Sequence, residues 1–158
     1  MMIMRPPLEV DIEPLTDLWH SGWLDGHEAV VPAALARLRT RRNFRDRLLA
    51  RWDGLRIAGP AGAPLGFHLV LADELNQFYV SATARGTGLA SAMMADAESG
   101  FRAARIRRAW LSCSIGNERA ARFYAKAGWA RVGVETIDCE TPEGPFPIGV
   151  WRYEREWT

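Results

Sequence analysis

Lysine is nearly absent from this chain: Lys126 is the only one among 20 basic residues. No glycine run precedes it, so a P-loop, which needs a phosphate-holding lysine, is excluded. Schiff-base chemistry has that single candidate. Cysteine is equally scarce. Cys113 and Cys139 form no C-x-x-C pair and no disulfide framework, as expected in a reducing compartment. Neither charge sign dominates: 20 Lys and Arg face 19 Asp and Glu, a formal charge of +1. A dedicated nucleic-acid binder carries a clear basic excess, so the balance argues against that class. No run approaches the roughly 18 apolar residues of a membrane span. The opening Met-Met-Ile-Met-Arg-Pro-Pro lacks the long apolar core and small-residue cleavage site of a signal peptide. The expectation is a soluble, cytoplasmic protein with neither membrane nor nucleic acid as partner.

What is there is ordinary for a globular chain: 48% apolar and 25% charged residues. At about 150 residues per domain, residues 1–158 are expected to form one domain. The charges are unevenly spread. Residues 1–31 hold six acids and one Arg; residues 32–56 hold eight Arg against Asp46 and Asp53; residues 85–131 hold nine basic groups against three acids. Solvated helix faces explain such runs. A basic rim around an anionic ligand explains them as well.

Periodicity gives a coarse element order. Residues 2–5 suit a short strand ended by Pro6 and Pro7. Asp11 can cap a helix over 12–21 with Ile12, Leu15, Leu18 and Trp19 on one face, and Gly22 and Gly26 are expected to break it into a loop. Two helical stretches follow, one from Pro32 with Ala34, Leu35 and Leu38, one through Phe44, Leu48 and Leu49. Residues 51–58, 65–71 and 75–80 read as a three-strand meander. A helix over 88–104 carries a stripe of Leu89, Ala92, Met93, Ala97 and Phe101. Residues 108–114 alternate as a strand, and Asn117 opens a helix carrying Ala120, Phe123, Tyr124 and Ala127 that Gly128 closes. Strands near 129–138 and 147–156 end the chain. The pattern predicts a mixed sheet flanked by helices.

The most informative stretch is Arg85-Gly86-Thr87-Gly88-Leu89-Ala90, between a predicted strand and a predicted helix. Free N–H groups at a helix start, together with the helix dipole, attract phosphate oxygens. Glycines let a diphosphate approach the main chain closely, and Arg85 adds a fixed charge. A structural turn also explains the glycines. A dinucleotide-binding fold does not fit, because Ser91 stands at the third glycine position and three antiparallel strands come first.

The run L-N-Q-F-Y-V-S-A-T-A-R-G-T-G-L-A resembles the central signature of the GNAT superfamily of N-acetyltransferases, a strand followed by R/Q-x-x-G-x-G/A, with Arg85, Gly88 and Ala90 at the signature positions. Further on, N-E-R-A-A-R-F-Y-A-K-A-G-W is similar to the family's second signature through Asn117, Ala120, Tyr124, Lys126, Gly128 and Trp129. The resemblance implies an α/β (α+β) fold: a mixed, mostly antiparallel seven-stranded sheet flanked by about four helices, with a V-shaped split between the fourth and fifth strands. It implies acetyl-CoA as co-substrate, an amine acceptor, no metal, and direct transfer in a ternary complex. By the same resemblance, the backbone of Phe78, Tyr79 and Val80 bonds the pantetheine arm, and Arg85, Gly86, Thr87, Gly88, Leu89 and Ala90 hold the diphosphate. Asn117, Ala120 and Tyr124 line the cofactor, and Tyr124 is the general acid for the leaving thiolate. Glu74, eleven residues before Arg85, is the candidate base, with water as the alternative. A main-chain N–H near Val80 is the implied oxyanion donor.

On the acceptor side Trp23, Asp25 and His27 are the candidate substrate contacts. Cys113 reads as a small buried hydrophobe. The alternation of Trp151, Tyr153 and Trp157 suggests a homodimer face. Two readings from other classes stand beside the enzyme: a CoA-binding module without catalysis, and an Arg-rich interaction domain on residues 37–56.

Overall fold

The computed structural model describes residues 4–158; Met2 and Ile3, part of the first expected strand, lie outside the described residues. The chain runs β1 (Met4–Arg5), α1 (Ile12–His27), α2 (Ala33–Leu38), α3 (Arg41–Ala50), β2 (Leu55–Ala58), β3 (Gly66–Leu71), β4 (Glu74–Val80), α4 (Leu89–Ala103), β5 (Arg108–Ser114), α5 (Glu118–Lys126), β6 (Ala130–Cys139) and β7 (Phe146–Glu156). The seven strands make one sheet in the order β1-β2-β3-β4-β5-β7-β6. Only the central pair, β4 with β5, is parallel. The described residues form five helices where the resemblance implies about four; the six-residue α2 is the stretch expected from Pro32.

Helices cover both faces. Leu15, Trp19, Phe44 and Leu48 of α1 and α3 bury against Leu55, Ile57, Phe67 and Leu69 of β2 and β3. Met94, Ala97 and Phe101 of α4, with Ala121 of α5, bury against Leu111, Tyr153 and Trp157. Met94 takes the place expected of Ala92, which is exposed. Tyr153 and Trp157 are core residues, and the half-buried Trp151 lies under the Arg131 guanidinium at 3.8 Å.

Two expectations are overturned. Residues 51–54 form a helical turn, and the strand begins only at Leu55. More consequentially, α1 passes straight through Gly22 and Gly26 to His27. Both glycines are close-approach residues. A Cβ on Gly22 would lie 2.6 Å from Tyr79 Cδ1, and one on Gly26 3.1 Å from Asn117 Nδ2. Their missing side chains let α1 lie directly on β4 and the start of α5, which outweighs the glycine penalty in a helix of about 1 kcal/mol each.

Candidate active site

The site begins with a failure of pairing. β4 and β5 meet in register only at Glu74 and Trp110. That end is held by Trp110, whose backbone N–H donates to the Asp73 carbonyl at 3.0 Å and whose indole donates to the Asp73 carboxylate at 3.1 Å. Beyond it the strands diverge. A bulge in β4 drives the divergence: Val70 pairs with Leu75 and Leu69 with Gln77, so Asn76 is an unpaired extra residue. The bulge also resets the pleat, putting Leu75 and Phe78 into the core under α4 and α5 while Tyr79 faces α1. The edge of β4 from Phe78 to Val80 is left facing the gap, with no partner strand on that side among the described residues.

At the open end of the split lies the glycine loop. Gly86 and Gly88 have φ of +77° and +83°, a region that favours glycine, and no atom lies within 4 Å of where either Cβ would be. Gly88 caps α4 without a side-chain hydrogen bond. The N–H groups of Gly86 through Ser91 have no acceptor among the described residues. This is a turn of free donors at a helix start, open to an anion. Thr87 hydroxyl donates to the Ala84 carbonyl at 2.5 Å and bridges the loop, while Leu89 is buried beneath it; neither lines the cavity.

Split and loop open into one cavity of about 1020 Å³, lined among others by Glu74, Phe78, Tyr79, Val80, Arg85, Gly88, Ala90, Asn117, Ala120 and Tyr124. Asn117 caps α5, its side-chain oxygen accepting from Ala120 N–H at 3.5 Å. The helix ends in a Schellman turn: Gly128, at φ +97°, donates to the Ala125 carbonyl at 3.1 Å, and Trp129 donates to the Tyr124 carbonyl at 3.0 Å. The turn fixes Tyr124 between Phe78, Phe123 and Tyr153, and its hydroxyl has no hydrogen-bond partner among the described residues. Burial pushes that phenol well above its ordinary range, so it stays protonated. Glu74, half-buried, is likewise raised by burial, against a lowering hydrogen bond from Asn76.

Trp23 and His27 line the other end of the cavity, stacked at 5.4 Å. Burial lowers His27 to about 4, so its ring is neutral at pH 7. Its Nδ1–H donates to the Trp23 carbonyl at 3.3 Å. Asp25 does not line the cavity. It binds Arg85 at 2.5 Å and Arg119 at 2.8 Å, tying α1 to the glycine loop and to α5. Those two guanidinium groups hold its carboxyl below the usual range. Cys113 is buried, and burial pushes its thiol up to about 11. Sequence reasoning passed over Arg39, Arg47 and Arg51, which also line the cavity. The only signal was the arginine excess of residues 32–56, part of it spent on surface pairs such as Arg41 and Arg45 with Glu13.

This sheet, split between its central parallel strands and flanked by helices on both faces, defines the fold of an acyltransferase class. The Acetyltransferase (GNAT) family profile matches residues 14–129, and the chain belongs to that family. Similar solved structures include a GCN5-related N-acetyltransferase from Rhodopseudomonas palustris (TM-score 0.74, 16% identity, 98% of this chain and 95% of that one). The PaiA N-acetyltransferase from Thermoplasma acidophilum, in complex with coenzyme A, aligns at TM-score 0.70 and 14% identity over 99% of both chains. YncA from Salmonella typhimurium, a putative acetyltransferase with its cofactor acetyl-CoA, aligns at 0.69 and 13% over 99% and 94%. At these identities the likeness shows the fold. A search of curated proteins returns no match.

Proposed function

We propose that the protein is an N-acetyltransferase that moves the acetyl group of acetyl-CoA to an amine by direct transfer in a ternary complex. The observation that carries this reading is the open β4–β5 split leading to the unpaired N–H groups of residues 86–91. Acetyl-CoA supplies an activated acyl thioester when bound. The free edge of Phe78–Val80 is suited to bond an extended amide chain as a strand would, and the glycine loop with Arg85 is suited to hold a diphosphate. The side chain of Asn117 and the methyl of Ala120 border the same channel.

An ammonium has no lone pair, so the acceptor must lose a proton. Glu74, whose affinity for protons is raised by burial, takes it directly or through water. Tyr124, fully protonated, gives a proton to the leaving sulfur. A backbone N–H at Val80 donates to the developing oxyanion. The test is thiol release from acetyl-CoA over a panel of amines. Tyr124→Phe is expected to lower kcat roughly ten- to a thousand-fold with coenzyme affinity nearly intact. Unchanged turnover would remove Tyr124 from the chemistry. Coenzyme binding with no acetylation of any amine would favour the non-catalytic binding module instead.

A further inference from the structure

The acceptor end of the cavity holds an electrostatic debt. Arg39 is 4% exposed and Arg47 13%, and both line the cavity wall. Buried guanidinium groups are normally matched by carboxylates and hydrogen-bonded throughout. These are not. Arg39 donates to Asn43 Oδ1 at 2.9 Å and to the Glu140 carbonyl at 2.8 Å, both neutral acceptors, and its Nε has no acceptor. Arg47 has no acceptor at Nε or Nη1. Among the described residues the one carboxylate within 4 Å of Arg47 is Glu140, at 3.6 Å, which is ion-pair distance but beyond a hydrogen bond. Glu140 is 58% exposed and is shared with Arg51 at 3.9 Å.

The remaining neighbours do not supply the missing anion. Trp19 and Phe44 lie under the Arg47 guanidinium at 4.5 and 5.4 Å, offering ring faces only. His27 is neutral, and Asp138 sits exposed at the rim. Arg39 stands close enough to disfavour the charge on Arg47, and burial with that repulsion brings Arg47 down to about 10, still cationic at pH 7. A purely structural role is served as well by an apolar side chain of the same volume, without the desolvation cost. Two cations left short of counter-charge on a cavity wall mark the place of an anion.

We propose that the acceptor is an amine that also carries an oxyanion, a carboxylate or a phosphate, and that Arg39 and Arg47 face that oxyanion. This rests on the acetyltransferase reading for the amine but not for the anion. The acceptor is then zwitterionic, its negative end toward α2 and α3 and its amine toward the split between β4 and β5. Glu140, on the exposed side, offsets part of the charge in the free state.

The test uses matched acceptors on one carbon skeleton: an α-amino acid, its carboxamide, and the amine bearing a phosphate ester. Acetylation is read as thiol release, and binding to the coenzyme-A-saturated protein is read by titration calorimetry. The expected result is a kcat/KM at least tenfold higher for a charged acceptor than for the carboxamide, expressed mainly in KM; whichever anion leads identifies the group. Arg47→Gln is expected to collapse that preference, and Arg47→Lys to retain part of it. Equal handling of the acid, the phosphate ester and the carboxamide by the wild-type protein would overturn the proposal, whatever the variants do. If no amine is acetylated, the acetyltransferase reading fails separately. Calorimetry then decides the anion site: selective binding of the acid or phosphate supports it, and binding of neither overturns it.

Discussion

At the scale of single residues, the account turns on how burial sets protonation. Glu74 is raised above its ordinary value by burial, so it holds its proton to higher pH than a surface glutamate and is a better base once ionised. The acid limb of kcat/KM is therefore expected to rise with pH through a pKa above the usual glutamate range. Glu74→Gln is expected to remove that limb and lower turnover by about tenfold or more. An unchanged pH profile would hand the deprotonation to water. Asp11 shows the opposite balance. It is wholly buried, which alone would raise its carboxyl, but Arg5 at 2.7 Å and the N–H groups of Gly62 and Leu8, each at 2.8 Å, outweigh that and hold it below the usual range. A depressed folded-state pKa gives stability that is present above the unfolded value of about 3.9 and lost as pH falls through the folded one. Asp11→Ala is expected to cost about 3 kcal/mol at neutral pH, because it leaves Arg5 without its carboxylate and two part-buried N–H donors without an acceptor. Urea unfolding at pH 7 and at pH 3 measures this: the gap between wild type and variant is expected to shrink at the lower pH. A gap unchanged with pH would contradict the pairing.

At the scale of elements, the glycines separate what the sequence reveals from what it hides. Gly86, Gly88 and Gly128 announce themselves, because a turn between periodic segments calls for a residue that tolerates positive φ, and all three adopt it. Gly22 and Gly26 look the same on paper, yet they sit inside α1, excused by contacts with Tyr79 and Asn117 that lie more than 50 positions away. Local signals cannot foresee a contact of that range. The bulge at Asn76 is likewise hidden, since no residue type there demands it. Gly22→Ala separates the two roles. If Gly22 were merely tolerated, alanine would stabilise α1 by about 1 kcal/mol. With Tyr79 Cδ1 at 2.6 Å from the added carbon, the variant is instead expected to lose about 1–3 kcal/mol, read as a lower urea midpoint. A stabilised variant would contradict the close approach of α1 to β4.

At the scale of the whole molecule, the sheet is a continuous scaffold interrupted where it is useful. Seven strands pair in order, and the one parallel join is held at a single register position, so the break falls between two packed halves. The two motifs around residues 75–90 and 117–129, which supply much of the split and the glycine loop, are contiguous in sequence and were legible there. The acceptor side was not. Trp23 and His27 line the cavity, but Asp25 is drawn away to Arg85 and Arg119, and Arg39 and Arg47 take up the wall. That end is assembled from α1, α2, α3 and the β6–β7 turn, which only the tertiary fold brings together. The central claim is that the open edge of β4 and the glycine loop are one binding surface. Backbone amide resonances followed during titration with coenzyme A test it most directly. The account predicts large shifts at Phe78–Val80 and at residues 86–91, with slowed hydrogen exchange at the loop, and a Gly88→Val chain that binds at least tenfold more weakly. Saturating coenzyme A that leaves those amides unmoved would contradict it.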